Sequence, residues 1–154
     1  MENDKKHWVV IPRRKRLDPD KWEIITDGRP DIDYMFLAYP YERPFDISCG
    51  LHGDKDDQRG RDRKDIMIDD TMSMQGSCYF MTKDYFNKLE LLDDVNFSGT
   101  GHEGAEIALK VRHDGGRIIV NKNTWYAHAR MSRKYAFDKT KSREYIKVLA
   151  KELI

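Results

Sequence analysis

The stretch "GTGHEGAEIALKVRHDGG", residues 99–116, constrains the fold more than any other, because both ends of a helix are written into it. Gly99 and Gly101 form a flexible approach, and Gly115 with Gly116 suits a helix C-cap, so a helix is expected from about Glu103 to Asp114. A glycine-rich turn opening a helix presents unpaired N–H groups and the positive end of the helix dipole, which suits an anion. Glu103 falls at that end. Glu106 shares its face, and Lys110 lies four residues beyond Glu106 in the favourable Glu-to-Lys order. Dipole complementation and an ion pair therefore explain both carboxylates structurally. The small, flexible flank "FSGTGH" goes beyond that need, since one capping residue would start the helix, and glycines before a carboxylate let a substrate approach closely.

The rest of the chain reads as one unit of mixed α+β character. Its 154 residues match one ordinary domain, with 39% hydrophobic and 36% charged residues and no internal repeat. No apolar run reaches the roughly 20 residues a spanning helix needs, and no signal-peptide pattern opens the sequence, so a cytoplasmic protein without a membrane span is expected. Two cysteines, Cys49 and Cys78, are too few for a disulfide scaffold and lack zinc-site spacing. The net charge of +1 argues against a general polyanion binder. Two basic clusters stand out, Arg13 to Arg16 and the tail from Arg130, where residues 130–152 are locally +5. Neither holds a nucleic-acid motif or interleaved aromatics, which ranks nucleic acid last among partners.

"WVVIP" reads as a strand ended by Pro12, and Asp18 with Pro19 opens a turn. Residues 28–44 hold three prolines and should be irregular, and residues 54–65, with five charges of each sign and no apolar side chain, read as a mobile surface loop. Residues 72–81 alternate as a half-buried strand with Ser73, Gln75, Ser77 and Tyr79 on its polar face. Thr82 is the expected N-cap of a helix that places Tyr85, Phe86, Leu89 and Leu92 on one side. "RIIV" and "TWYAHAR" are expected as strands broken at residues 121–123, with Trp125 in the core. Ile146, Leu149, Ala150 and Leu153 predict an amphipathic helix within 138–153.

The segments "MQGSCYFMTKDYF" and "GTGHEGAEIALKVRHDGGRIIVNKNTWYAH", with the spacing between them, resemble the C-terminal half of nucleotide-sugar-dependent glycosyltransferases of the GT-A fold. The likeness is closest to bacterial and viral family 2 members and weaker to polypeptide N-acetylgalactosaminyltransferases. It spans Met72 to His128, and "VVIPRRKRLDPDKWEI" and "RPDIDYMFLAYP" also look like segments of such enzymes. The resemblance implies a partial GT-A-like three-layer arrangement, a mixed sheet with flanking helices. By the same resemblance the N-terminal nucleotide-binding half is expected to be missing, because no hydrophobic strand ending in Asp-x-Asp is found. "DID" at residues 31–33 follows Gly28, Arg29 and Pro30 and reads as a turn with an acidic flank.

The resemblance also assigns roles. Glu103 would deprotonate the acceptor hydroxyl in an inverting enzyme or position substrate in a retaining one, with Glu106 as alternative base or support. Gln75, Gly76 and Ser77 would line the sugar pocket, Tyr79 could stack on a sugar ring, and Gly101 and His102 would lie beside it. His102 alone reads equally well as a solvated loop residue. His128 matches a histidine that helps hold a divalent metal, Mn²⁺ or Mg²⁺, on the donor diphosphate. On residue type alone, His128 is a hydrogen-bonded strand histidine sharing a face with Thr124, Tyr126 and Arg130. Arg130, with Arg133 and Lys134, would contact the diphosphate. The expected partners are a nucleotide-sugar donor and a glycan or other hydroxyl acceptor, with a second copy or another chain completing the nucleotide half. The alternative is a non-catalytic glycan-binding or protein-interaction module of the same ancestry.

Overall fold

A computed structural model of the chain describes residues 4–37, 54–96, 102–129 and 140–152. The fold is mixed α+β, built on a three-stranded sheet of order β1-β5-β4. Strand β1 (Trp8–Leu17) runs parallel to β5 (Arg117–Ala129), and β4 (Ile68–Asp70) pairs antiparallel on the far side of β5. β1 does not end at Pro12. The register shifts there instead: Pro12 faces Asn121, while Arg13 faces Trp125, so residues 122–124 bulge out of β5. Proline has no N–H to give to a ladder, and a bulge is where a strand accommodates one. The break expected at residues 121–123 is the same bulge, inside a continuous strand. Single bridges from Phe80, Ile32 and Ile24 to Val10, Arg14 and Leu17 line the other edge of β1.

Helix α3 (Glu103–His113), which leads into β5 and packs on the sheet, carries the core. Ile107, Ala108 and Val111 bury against Val9 and Ile11 of β1 and Ile118 and Val120 of β5. Its opposite side, Ala105 and Leu109, packs on Ile146, Leu149 and Ala150 of α4 (Thr140–Lys151). The result is sheet, α3 and α4 in succession, with α3 apolar on two faces and seven of its residues buried. The predicted boundaries hold within a residue, and Gly115 at φ +68° takes the left-handed conformation that ends the helix. Leu153 and Gly101 lie outside the described residues.

Other expectations need correcting. Residues 72–81 form no regular strand. Their chain makes only single bridges at Ser73 and Phe80 and turns at Gly76 and Ser77. Met72 and Phe80 face solvent while Ser73 is fully buried, the reverse of the alternation. Residues 54–65 are not a loop. They contain β3 (Asp54–Lys55), paired with β2 (Met35–Phe36), and the short helix α1 (Asp57–Asp62), whose N-cap Asp56 accepts from the Arg59 N–H. Thr82 caps α2 (Lys83–Lys88) as expected and Tyr85 and Leu89 are buried, but the helix stops before Leu92, which is exposed; Leu91 takes the buried place. Trp125 is 56% exposed under the Lys15 ammonium, 4.7 Å from its ring. It is not core because α3 covers only the first half of the β1–β5 pair; beyond the bulge, no residue of either strand joins the core cluster.

Charges tie these irregular segments to the sheet. The Arg13 guanidinium grips buried Asp33 in bidentate fashion, at 2.8 and 2.7 Å, with Asp31 at 3.6 Å, so both acids of "DID" serve a β1 arginine. Beside them Tyr34 donates to Asp69 (2.7 Å), Arg63 donates to the same carboxylate (2.8 Å), and the Arg59 guanidinium and Lys122 ammonium lie over the Tyr34 ring, 4.9 and 4.8 Å from its centre. The oppositely charged side chains that made residues 54–65 look solvated are what dock them.

Glycine substitutions test this packing. A Cβ at Gly104 would lie 2.1 Å from the Met74 carbonyl oxygen, whereas one at Gly60 would meet nothing closer than 3.7 Å. Gly104→Ala should lower stability by roughly 1–3 kcal/mol, outweighing the helix-propensity gain of about 1 kcal/mol that Gly60→Ala keeps in full. Opposite shifts of the urea midpoint would check this. A second expectation concerns alkali. Burial pushes the Tyr34 and Tyr85 hydroxyls up to about 12, with Asp69 and Asp114 respectively adding to the shift. Both are raised above the usual 10, so their contribution to stability is complete below pH 10 and lost as pH rises through 12. Urea midpoints followed from pH 9 to 12 should fall over that window, with a shallower fall in Tyr85→Phe.

Candidate functional site

The site forms where the 74–79 segment crosses the N-terminus of α3. Gly104 has no side chain, so the Met74 carbonyl rests directly on the first turn, and a Cβ at Gly76 would lie 3.2 Å from the Cβ of Glu103. Four of the predicted residues, Gly76, Tyr79, Glu103 and Glu106, therefore converge. The Tyr79 hydroxyl is pushed up from its ordinary value, first by burial and then by the negative charges of Glu106 and Glu103. His102 is buried rather than a solvated loop residue, and as N-cap of α3 it holds φ +79° with no side-chain capping bond. A left-handed, bulky residue at a helix start is strained backbone, which tertiary contacts must hold in place.

The two carboxylates differ in surroundings. Glu103 is half-buried at the helix entrance. Glu106 is fully buried, and both its oxygens are engaged: Oε1 accepts from Lys110 Nζ (2.8 Å) and Oε2 from the Leu92 N–H (3.1 Å). Lys110 also donates to the Glu90 carbonyl at 2.6 Å. The pair thus clamps a turn in which Glu90 and Leu92 both take positive φ. Burial alone would lower the Lys110 pKa, but the hydrogen bonds and charges of Glu106 and Tyr145 together outweigh that and hold it above the ordinary value. The spacing that suggested the Glu106–Lys110 pair is realised here.

On the other side of the segment, Ser77 Oγ and the Tyr126 hydroxyl lie 2.7 Å apart. In the β1–β5 register Arg14 faces Tyr126 and Arg16 faces His128, which puts two guanidinium groups, a phenol and an imidazole on one face of the strand pair. A recess there is lined by Gln75, Cys78, Arg14, Tyr126 and Asp33. Burial raises the Tyr126 hydroxyl, with Ser77 and the Arg14 charge pulling against it. Arg14 escapes sequence reasoning because the strand is stopped at Pro12; period-two alternation carried through the proline separates Arg14 and Arg16 from Arg13 and Lys15. Arg130 lies outside the described residues.

His128 is exposed, and its Nδ1 lies 3.2 Å from an Arg14 guanidinium nitrogen. Guanidinium only donates, so Nδ1 accepts and the neutral ring carries its proton on Nε2. The Nδ1 lone pair is then taken by this hydrogen bond, and a divalent cation would sit beside a permanent positive charge. The surroundings of His128 do not fit a metal. Among the described residues no three His, Cys, Asp or Glu side chains group as a metal site would require.

No family model matches the chain, and no curated protein matches it. Among the described residues no helix is long and apolar enough to cross a membrane.

Removal of the Glu106 carboxylate gives the check on this division of labour. Glu106→Ala leaves the Lys110 charge only 13% exposed and uncompensated, and should cost about 3–5 kcal/mol, read as a large drop in thermal midpoint. Glu103→Ala, at the half-buried helix entrance, should move the midpoint far less.

Proposed function

We propose that the chain is the acceptor-side half of a glycosyltransferase that moves a sugar from a nucleotide-sugar donor to a hydroxyl acceptor. The observation that carries the proposal is the close approach of Gly76 to Glu103, which brings a half-buried carboxylate at a helix N-terminus against the polar segment 75–79. The resemblance of "MQGSCYFMTKDYF" and "GTGHEGAEIALKVRHDGG" to the GT-A transferases supplies the reaction class.

In this proposal Glu103 takes the proton of the acceptor hydroxyl while its oxygen bonds to the anomeric carbon, and the nucleoside diphosphate leaves with the bonding pair. Gln75, Ser77 and Tyr79 bind and orient the sugar. Glu106 shapes the site from behind through Lys110 rather than meeting substrate. Manganese or magnesium dependence belongs to the same proposal only with ligands other than the surroundings of His128. A cytoplasmic location is also part of it.

A second copy or another chain supplying nucleotide-binding elements is favoured by Ile66, Met67 and Ile68, apolar side chains exposed at and beside the β4 edge.

The test is release of nucleoside diphosphate from a panel of nucleotide sugars in the presence of glycan acceptors, alone and with added partner fractions. Glu103→Gln should reduce release by about 10²–10⁴-fold while nucleoside diphosphate binding is kept. Equal release by the variant would remove Glu103 from the base role. Glycan binding without any release by the unaltered chain would replace the transferase with a glycan-binding module.

A further inference from the structure

We infer that the hairpin tip carrying Trp22 is a self-association surface, through which two copies of this chain pair about a two-fold axis. The inference does not depend on the transferase proposal. It starts from a conflict between backbone and side chain. After β1 the chain turns back on itself: the Asp18 N–H donates to the Glu23 carbonyl and the Ile25 N–H to the Arg16 carbonyl, both at 2.9 Å, and Leu17 bridges Ile24. These bonds close a loop of residues 19–22, whose last residue takes the left-handed conformation at φ +59°. Glycine or asparagine meets that demand with little strain. The residue present is a tryptophan, 74% exposed, and for a bulky side chain this backbone is costly. Asp18 holds the loop firmly enough to impose it. Its carboxylate accepts from the Asp20 and Lys21 N–H groups at 2.9 and 3.0 Å, and its carbonyl accepts from the Trp22 N–H at 2.9 Å. A strained, rigidly held and exposed tryptophan adds nothing to the core of this chain, whereas a partner surface can use it as an anchor.

The occupant follows from charge and from a second exposed aromatic on the same strand pair. Residues 18–23 hold three acids against Lys21, and Asp20 and Glu23 are exposed. Further back along β1, past the cover of α3, Trp125 is exposed with the Lys15 ammonium over its ring rather than on a carboxylate. The other basic side chains of that run are occupied: Arg13 holds Asp33, Arg14 meets His128 and Arg16 donates to the Pro30 carbonyl. Acids at the tip and an ammonium with an aromatic behind it make the strand pair self-complementary. Two copies laid in opposite directions set Trp22, Asp20 and Glu23 of each against Trp125 and Lys15 of the other, the reciprocal contact a two-fold axis demands. Ile25, exposed on the returning chain, adds apolar area beside the tip. The same acids weigh against an anionic lipid surface as the host of Trp22.

The experiment is sedimentation equilibrium of the whole chain over a range of concentrations, at low and high salt. A reversible dimer is expected, weakened as salt rises. Trp22→Asn should raise the dimer dissociation constant at least about tenfold. The same variant should raise the urea midpoint measured at concentrations where the chain is monomeric, because asparagine accepts the left-handed backbone. A tryptophan needed only for folding would move that midpoint the other way. Asp20→Lys and Lys15→Glu should each weaken the dimer, and both together in one chain should restore it. Ile68→Ser should leave the dimer unchanged, which separates this surface from the β4 edge invoked for a partner above. A monomer at every concentration, a dimer indifferent to Trp22→Asn, or a double charge reversal that restores nothing would overturn the interface. None of these outcomes bears on the Glu103 release assay, which decides the transferase separately.

Discussion

The contact between the Gly104 backbone and the Met74 carbonyl governs much of the architecture. Without a side chain at that point, an irregular segment can lie directly on the first turn of α3, and its polar residues are carried to the helix entrance where Glu103 begins. The helix can accept this because its two flanks are already secured, by Val9, Ile11, Ile118 and Val120 on the sheet side and by Ile146, Leu149 and Ala150 on the other. A helix gripped on both faces is a rigid post, and rigidity is what a positioned carboxylate needs.

Charge plays two different parts in the molecule. Ion pairs hold shape: Glu106 with Lys110 clamps the turn at Glu90 and Leu92, and Arg13 with Asp33 fixes the segment around residues 31–33 to β1. The first is satisfied by further hydrogen bonds from the Leu92 N–H and to the Glu90 carbonyl, and the second is bidentate, as buried ions require good geometry. Arg14, one residue along from Arg13, leaves the strand on the other side and meets His128 and the Tyr126 face. Alternation in a strand thus sends neighbouring arginines of one basic run to opposite faces of β1, one to Asp33 and one to His128.

Much of α3 was legible because its signals are local. Glycine at the C-terminus, the Glu-to-Lys spacing and the apolar stripe act within a few residues of each other, and so do the Thr82 cap and the apolar face of α4. Residues 72–81 misled because strand periodicity says nothing of whether a neighbouring strand exists; the chain is held by α3 and single bridges, so Ser73 goes inside and Phe80 stays out. Residues 54–65 misled in the opposite way, since composition counts charges but not partners, and Arg59 and Arg63 find theirs in Tyr34 and Asp69. Within the site, Glu103, Gly76 and Tyr79 were singled out from sequence, while the pairing of Arg14 with Tyr126 required the register of two strands more than a hundred residues apart.

By itself, the sequence determined α2, α3 and α4 as helices and where α3 begins and ends, because helix hydrogen bonds and caps are made between near neighbours. The parallel pairing of β1 with β5, the bulge that lets β1 pass Pro12, the exposure of Trp125 and the meeting of Arg14 with His128 were decided only by the tertiary structure. Each of these depends on which distant backbone supplies the next hydrogen bond and which surface α3 leaves uncovered. No local pattern encodes that choice.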